Sequence, residues 1–320
     1  MVDEMISIAM ATYNGEKYLR EQLDSILAQT HRNFELVVCD DCSTDSTVQI
    51  LREYEKNDSR IKVFVNEKNL GYVQNFLKAL SLCSGEWIFL SDQDDIWERE
   101  KIEWFLEIIK LKGNQIRMIV SDFDNFPIDN SVRYFKSSRR ILPISFKKCI
   151  RVCSFAGMAM CISRSILPDI MGNGVENHIS HDWEISLIAS HGKNNGCYFL
   201  NTITAHHRIH EKNASSIKGD SSSKQAIYET RRKYLERNIQ LFEYAISIKC
   251  LSKYENLLLK KVLLFLYIRK KVLNEKSKAT LCIGIPKAFW FAILCVKLVK
   301  NSILMLCHDF WISFFWNVSK

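Results

Sequence analysis

This sequence predicts an α/β fold: a Rossmann-like, largely parallel sheet flanked by helices, followed by a C-terminal helical region. Three observations carry the expectation. Short apolar runs alternate with helix-period segments through the first half, the pattern of βα units. Acidic clusters follow those runs, at the carboxyl ends of strands where open α/β sheets bind ligands. Charge is also segregated along the chain. The 320 residues carry 44 Lys and Arg and 36 Asp and Glu, a formal charge of +8, yet residues 224–320 hold 18 of the basic side chains and six of the acidic ones.

Residues 6–11 read as a buried strand, and 16–29 as a helix with Leu19, Leu23, Ile26 and Leu27 on one face. Residues 34–39 form the second strand. Ser43 or Thr44 can cap the next helix, which buries Val48, Leu51 and Tyr54. Residues 61–65 are the third strand. A helix after Gly71 runs to residue 84, Gly85 ends it, and 87–90 make a fourth strand leading straight into SDQDDIW. A helix over 97–110 and a strand over 116–121 follow. Residues 154–162 read as a further strand, HDWEISLIASHG at 181–192 starts a helix, and from Lys224 onward the pattern is helical.

Composition narrows the class. At 47% hydrophobic and 25% charged, with four prolines and eleven glycines, the chain is neither disordered nor low-complexity, and its length suits two structural units of about 150 residues each. Asp3 and Glu4 precede a first apolar run too short for a secretory signal, so the eleven cysteines are expected to be reduced thiols in the cytoplasm. Cys39 and Cys42 have C-x-x-C spacing, but two aspartates fill the gap and no second pair completes a zinc site. Residues 133–151 hold Arg133, Lys136, Arg139, Arg140, Lys147, Lys148 and Arg151 without an acidic residue, which suits an anion-binding loop or a solvated one.

Asp40 and Asp41 follow the second strand, and Asp92, Asp94 and Asp95 follow the fourth. Three carboxylates within four residues repel one another unless a cation or hydrogen-bond donors neutralise them. D-x-D spacing turns two side chains of an extended segment to one side, and hard oxygen ligands suit Mg²⁺ or Mn²⁺. Taken alone, the same residues would also make a solvent-exposed acidic turn.

They do not stand alone. ATYNGEKYLREQLDSILAQT (11–30), VVCDDCSTDST (37–47), NLGYVQNF (69–76) and SDQDDIW (91–97) occur in that order. Together they resemble the family 2 glycosyltransferases, inverting enzymes of the GT-A fold that use nucleotide-sugar donors, and SDQDDIW looks like the bacterial rhamnosyltransferase-like branch. The resemblance covers residues 5–216. It implies that Ala11, Thr12, Tyr13 and Asn14 contact the nucleotide, that Asp41 accepts a hydrogen bond from the pyrimidine base, that Asp92 lies near the ribose and that Asp94 holds the metal, with Asp95 sharing either task. Cys42 stands where a glycine is common in that loop. Asp182 in HDWE matches the family's catalytic base, which would take the proton of an acceptor hydroxyl; it also suits a helix N-cap. Trp183 beside it suits a platform for the acceptor sugar or a core position. HHRIHEKNASS (206–216) resembles the branch's R-x-H-x-x-N loop, with Arg208 toward the diphosphate, His210 on the metal and Asn213 closing the motif.

The resemblance divides the chain into a GT-A domain at 1–223, with a nucleotide-sugar half to 122 and an acceptor and catalytic half from 123, and a basic region at 224–320. In that region residues 257–272 interleave apolar side chains with Lys260, Lys261, Arg269, Lys270 and Lys271. Residues 279–316 are more apolar, but their longest uncharged stretch, 288–296, is too short to span a bilayer. Basic residues on one face with Trp290, Phe291, Trp311, Phe314 and Phe315 as anchors suit a membrane interface, and a helical bundle is the other reading. No nucleic-acid motif accompanies the charge. The expected activity is transfer of a sugar, L-rhamnose for example, from a dTDP- or UDP-sugar to a lipid-linked or growing surface polysaccharide such as O-antigen, lipopolysaccharide or capsule, at the cytoplasmic face of the membrane. A non-catalytic assembly subunit with a degenerate GT-A domain, and a nucleotidyltransferase on the same fold, are the alternatives; residues 5–15 lack the Gly-rich basic loop of the latter.

Overall fold

The computed structural model describes residues 5–126, 139–150, 155–172, 179–192, 196–210 and 224–274. These residues divide into two compact units, one lying within residues 5–210 and the other holding the C-terminal helices. In the first, β1 (Ile6–Thr12), α1 (Leu19–Leu27), β2 (Phe34–Asp40), α2 (Thr47–Asn57), β3 (Ile61–Val65), α3 (Tyr72–Leu82) and β4 (Trp87–Ser91) alternate as the apolar pattern predicts. Then come β5 (Ile96–Trp97), α4 (Lys101–Lys112), β6 (Met118–Phe126), β7 (Arg140–Pro143), α5 (Phe146–Cys149), β8 (Met160–Ser163), α6 (Leu167–Met171), α7 (His181–Ser190) and β9 (Cys197–Arg208).

The strands form one sheet in the order β3-β2-β1-β4-β8-β6-β9-β5, with β7 also paired to β9. The first four are parallel. β8 enters antiparallel to β4 and β6, while β6 and β9 are parallel to each other. Parallel strands are covered on both faces, so they read as near-continuous apolar runs. Ile6, Ile8, Met10, Leu36, Val38 and Phe89 are buried accordingly, and Leu19, Leu23 and Ile26 of α1 join the same core. Each such side chain contributes about 1.5–3 kcal/mol when removed from water.

Several boundaries differ from the sequence expectation for local reasons. α2 starts at Thr47 rather than after Ser43 or Thr44, because the Asp45 carboxylate accepts the Thr47 N–H at 3.0 Å while Ser43 is drawn to Asp40. α4 starts at Lys101 because Ile96 and Trp97 pair with His206 and Ala205 of β9. β8 is shorter than residues 154–162, since Gly157–Ala159 form a 3-10 turn before it. β5 and β7 are too short to be announced by an apolar run, and in β9 the run over residues 197–200 covers only the first third of the strand. Gly196 lets β9 begin beside β6: its φ is +51°, and a Cβ there would lie 1.8 Å from the Gln115 carbonyl oxygen.

Cys39 is buried in β2, and burial pushes its thiol up to about 11, far from a reactive thiolate. Cys42, in the loop that follows, has φ +67°, the left-handed region that favours glycine. Cys42→Gly is therefore expected to stabilise the fold by about 1 kcal/mol, raising the melting temperature in calorimetry by about 2–4 °C. A lower melting temperature would show that the thiol's packing outweighs the strain.

In the second unit, α8 (Lys224–Ile246) and α9 (Lys253–Asn274) form a helical hairpin. α9 opens with a capping box: Ser252 N–H donates to Glu255 Oε2 at 2.8 Å, and Glu255 N–H donates to Ser252 Oγ at 3.3 Å. Lys270 pairs with Glu236 at 3.4 Å, and the Tyr267 hydroxyl donates to Glu243. Among the described residues no helix is long and apolar enough to cross a membrane. Residues 279–316, with the aromatic anchors, lie outside the described residues, as do Arg133, Lys136 and Arg151 of the basic stretch. Within that stretch Arg139 lies over the Trp104 ring at 5.0 Å and Lys148 over Phe199 at 5.1 Å.

Candidate active site

The carboxyl ends of β2, β1 and β4 lie side by side, so the loops after them share one edge of the sheet. The β1 loop is laced to both neighbours. Ala11 lies opposite Cys39 one residue before the end of β1, and Thr12 Oγ1 donates to Asp40 Oδ2 at 2.8 Å. Asn14 N–H donates to Ser43 Oγ at 2.8 Å, and its Oδ1 accepts from Thr44 N–H at 2.8 Å. On the other side, Gln93 clasps the backbone of Tyr13: its Oε1 accepts the Tyr13 N–H at 2.9 Å and its Nε2 donates to the Tyr13 carbonyl at 3.1 Å.

Asp41 is 2% exposed. Its Oδ1 accepts from Leu70 N–H at 2.7 Å and Asn66 Nδ2 at 2.8 Å, and its Oδ2 from Gly71 N–H at 2.8 Å. The carboxylate thus ties the end of β2 to the turn that starts α3, with room left for one or so further donors.

The SDQDDIW loop places Asp92 and Asp94 partly exposed and Asp95 fully buried. Burial pushes the Asp92 carboxyl well above the usual carboxylate range, and the charges of Asp95, Asp94 and Asp182 push the same way while Lys101 opposes them. Asp94 is raised by burial and by Asp95, against the hydrogen bond from His210, whose Nε2 lies 2.7 Å from Asp94 Oδ2. Asp95 faces inward. Its Oδ1 accepts the Arg208 N–H at 3.2 Å and lies 3.1 Å from His207 Nδ1, and its buried Oδ2 has no hydrogen-bond partner. That hydrogen bond with Asp95 lifts the His207 imidazole above its ordinary value.

β9 brings the third side of the site. Its last residues and the two that follow set Arg208 and His210 against the acidic loop, Arg208 Nε donating to the Asp94 carbonyl at 2.9 Å. The same guanidinium lies over the Tyr18 ring at 4.6 Å and pairs with Glu21. His206 faces elsewhere: its Nδ1 lies 2.5 Å from Asp124 and its Nε2 2.8 Å from Glu98, a clamp between β9, β6 and the start of α4. Behind the carboxylates sits Lys101, a buried ammonium 3.7 Å from the Trp97 ring centre that donates to the Met158 carbonyl at 2.5 Å. Burial pulls it down to about 7 against the attraction of Asp95 and Asp92.

Asp182 lies in the first turn of α7. Ser180 occupies the N-cap, so the capping reading of Asp182 falls away. Its Oδ1 accepts from Ser180 Oγ at 2.7 Å and from Trp183 N–H at 2.7 Å. Its charge is among the causes that raise the Asp92 carboxyl, after burial and the charges of Asp95 and Asp94. Trp183 is 2% exposed and its indole N–H donates to the Cys149 carbonyl at 2.9 Å, so it offers no open face to a sugar. Asn213 lies outside the described residues.

A family model described as "Glycosyl transferase family 2" matches residues 7–167, half of the chain and all of the β1–β4 edge just described. The chain belongs to glycosyltransferase family 2. Among relatives within the family, Escherichia coli "UDP-Glc:alpha-D-GlcNAc-diphosphoundecaprenol beta-1,3-glucosyltransferase WfgD" is 32% identical over 167 residues, 52% of this chain and 63% of that one. "Glycosyltransferase GlyG" of Streptococcus pneumoniae serotype 4 is 31% identical over 134 residues, 42% of this chain and 44% of that one. The match thus spans less than two thirds of either relative. The GT-A fold is shared with solved structures. S. aureus TarS 1–349 in complex with UDP-GlcNAc superposes with a TM-score of 0.60 at 17% identity, covering 99% of this chain and 92% of that one. The mannosyltransferase PcManGT from Pyrobaculum calidifontis, in complex with GDP-Man and Mn²⁺, gives 0.56 at 17% identity, covering 98% and 87%.

For a family 2 chain the donor set can be tested against a divalent cation. Asp94 supplies an oxygen and His210 an imidazole nitrogen 2.7 Å from it, and burial, then the charge of Asp95, raises the Asp94 carboxyl. Oxygen ligands with one imidazole suit Mn²⁺ or Mg²⁺, so the residues fit. Sequence reasoning missed Lys101, Gln93 and Glu21. Lys101 carried no signal, since a lysine four residues past SDQDDIW's tryptophan and next to Glu100 reads as solvated surface.

Proposed function

We propose that this chain is an inverting, metal-dependent glycosyltransferase that moves a sugar from a pyrimidine nucleotide-sugar, a UDP- or dTDP-sugar such as dTDP-L-rhamnose, to a lipid-linked or growing bacterial surface polysaccharide. The observation that carries the reading is the pairing of Asp94 with His210 at 2.7 Å, brought together from the β4 loop and the end of β9, in the loop that also holds Asp92. In this reading residues 1–223 are the catalytic domain. WfgD, whose name specifies UDP-glucose and a diphosphoundecaprenol-linked acceptor, supports a lipid-linked acceptor here.

The nucleotide lies along Ala11 to Asn14, with Asp41 and the turn it holds at the base and Asp92 near the ribose. Asp94 and His210 would hold Mg²⁺ or Mn²⁺, with Asp95 anchoring the loop from behind through Arg208 and His207. A cation held there would supply Lewis-acid stabilisation to the departing diphosphate. Arg208, set beside the Asp94 carbonyl, adds positive charge at the same end. Asp182 takes the proton from the acceptor hydroxyl as it attacks the anomeric carbon from the face opposite the diphosphate, so a single displacement inverts that centre. The test is a panel of UDP-, dTDP- and GDP-sugars with Mn²⁺, assayed for nucleotide release with membrane-extracted acceptors. One donor should dominate; release from none of them would overturn the proposal.

Association of residues 224–320 with the cytoplasmic membrane surface belongs to the same reading. The exposed positions of α9 are Lys253, Tyr254, Leu257, Lys260, Leu264, Tyr267 and Lys271, apolar or basic with no acid among them. Lysine stems can lie along apolar surface while their ammonium groups meet anionic headgroups. The protein is expected to co-sediment with vesicles containing phosphatidylglycerol and not with pure phosphatidylcholine, and Leu257→Glu with Leu264→Glu should weaken that binding at least several-fold. Equal recovery with both vesicle types would count against it.

A further inference from the structure

We infer that Tyr72 is a platform for the acceptor sugar, stacking on a pyranose ring whose hydroxyl is presented to Asp182. The inference rests on the proposed reaction and names a contact of its acceptor side. A base at Asp182 needs a sugar held beside it, and a pyranose is held by hydrogen bonds at its edge and by its C–H face on an aromatic ring. Trp183, the aromatic next in sequence, is packed in the core. Among the described residues of the catalytic unit, Tyr13 and Tyr72 are the exposed aromatic side chains, at 48% and 46%. Gln93 holds the backbone of Tyr13 at the donor end of the edge. Tyr72 instead leans on the segment that carries Asp182.

Its placement is firm. The Tyr72 hydroxyl donates to the Ile179 carbonyl at 3.1 Å, and its ring meets the His181 ring edge-on with centroids 5.9 Å apart. His181 is itself buried and stacked on Phe76 at 4.2 Å and 14°. One residue upstream, the Asp41 carboxylate accepts the Gly71 N–H. An exposed aromatic held at its hydroxyl and against a neighbouring ring, next to an anchored turn, loses little conformational freedom on binding, which is what makes a ring an effective platform.

The experiment compares the wild type with Tyr72→Ala, Tyr72→Leu and Tyr72→Phe, using the donor selected by the panel above and a set of octyl pyranosides as acceptors. Two reactions are read: transfer to the pyranoside, and slow hydrolysis of the donor without acceptor. Loss of the ring in Tyr72→Ala and Tyr72→Leu should raise acceptor KM about 3- to 10-fold, the scale of one aromatic contact. Donor KM and donor hydrolysis should stay unchanged, and Tyr72→Phe, which keeps the ring, should bind acceptor within about 3-fold of the wild type. An equal rise in donor KM would move Tyr72 to the nucleotide side and overturn the inference, as would a Tyr72→Leu variant as effective as the wild type. A wild type that no pyranoside saturates would overturn the pyranose assignment while leaving the donor reaction standing. Absence of donor turnover in every form would overturn the proposed reaction and the platform with it.

Discussion

Asp182→Asn should reduce sugar transfer about 100- to 10,000-fold, the range that a positioned general base contributes, with donor affinity left intact. The substitution is nearly isosteric. Asn Oδ1 can still accept from Ser180 Oγ and Trp183 N–H, the two donors that hold Asp182 now, so the first turn of α7 should keep its geometry. Only the basicity is removed. Steady-state rates with saturating donor, beside calorimetric titration of the same donor, separate the two effects: kcat falls and the binding isotherm does not move. A variant with full kcat would remove Asp182 from the mechanism. There is also an electrostatic signature, because the Asp182 charge helps hold the Asp92 carboxyl up. With that charge gone, Asp92 should ionise at lower pH, and divalent-cation binding should persist to lower pH than in the wild type.

Asp94→Asn is expected to lower Mn²⁺ affinity by about 100-fold or more, since loss of even an outer-shell partner typically costs 10- to 100-fold. His210→Gln should weaken it less, because the carboxylates remain. Mn²⁺ titration by calorimetry or electron paramagnetic resonance reads affinity without relying on turnover. In parallel, a chelator should stop nucleotide release by the wild type and added Mn²⁺ should restore it. Unchanged Mn²⁺ affinity in Asp94→Asn would place the cation elsewhere, and undiminished release in excess chelator would remove it from the reaction. Asp95→Asn is a useful contrast. Its Oδ1 holds the Arg208 N–H and His207 rather than facing the proposed cation, so its effect should appear as a shift of the β9 end.

Much of the catalytic unit was legible because parallel strands announce themselves. The runs at residues 6–11, 34–39 and 87–90 are buried on both faces and 61–65 on one, and each became a strand within a residue or so of its expected end. The acidic residues after them stand out for the opposite reason, as charges where the pattern is otherwise apolar. β9 was not legible. Beyond its short apolar start, residues 197–200, the polar residues Asn201, Thr202, Thr204, His206 and His207 break the pattern, and it continues as a strand because β6, β5 and β7 supply its hydrogen bonds. Trp183 was ambiguous for a related reason: an aromatic beside a carboxylate reads the same in the core or at a sugar site until the Cys149 carbonyl is found against its indole N–H.

Local order and local chemistry were thus the sequence's to determine: the βα alternation, the carboxylates at strand ends, the family, and the separation of a basic helical region from an acidic domain. Which of those carboxylates point at one another was decided by the tertiary structure alone. Asp94 and His210 are 116 positions apart and meet because β9 returns along the sheet. Lys101 becomes a buried counter-charge only when α4 packs behind the loop, and Tyr72 becomes a candidate platform only when α7 is laid beside α3. Hydrophobic periodicity specifies the face that each element buries, but contacts between distant polar groups depend on how the buried faces close, and that is a property of the packed sheet and its helices.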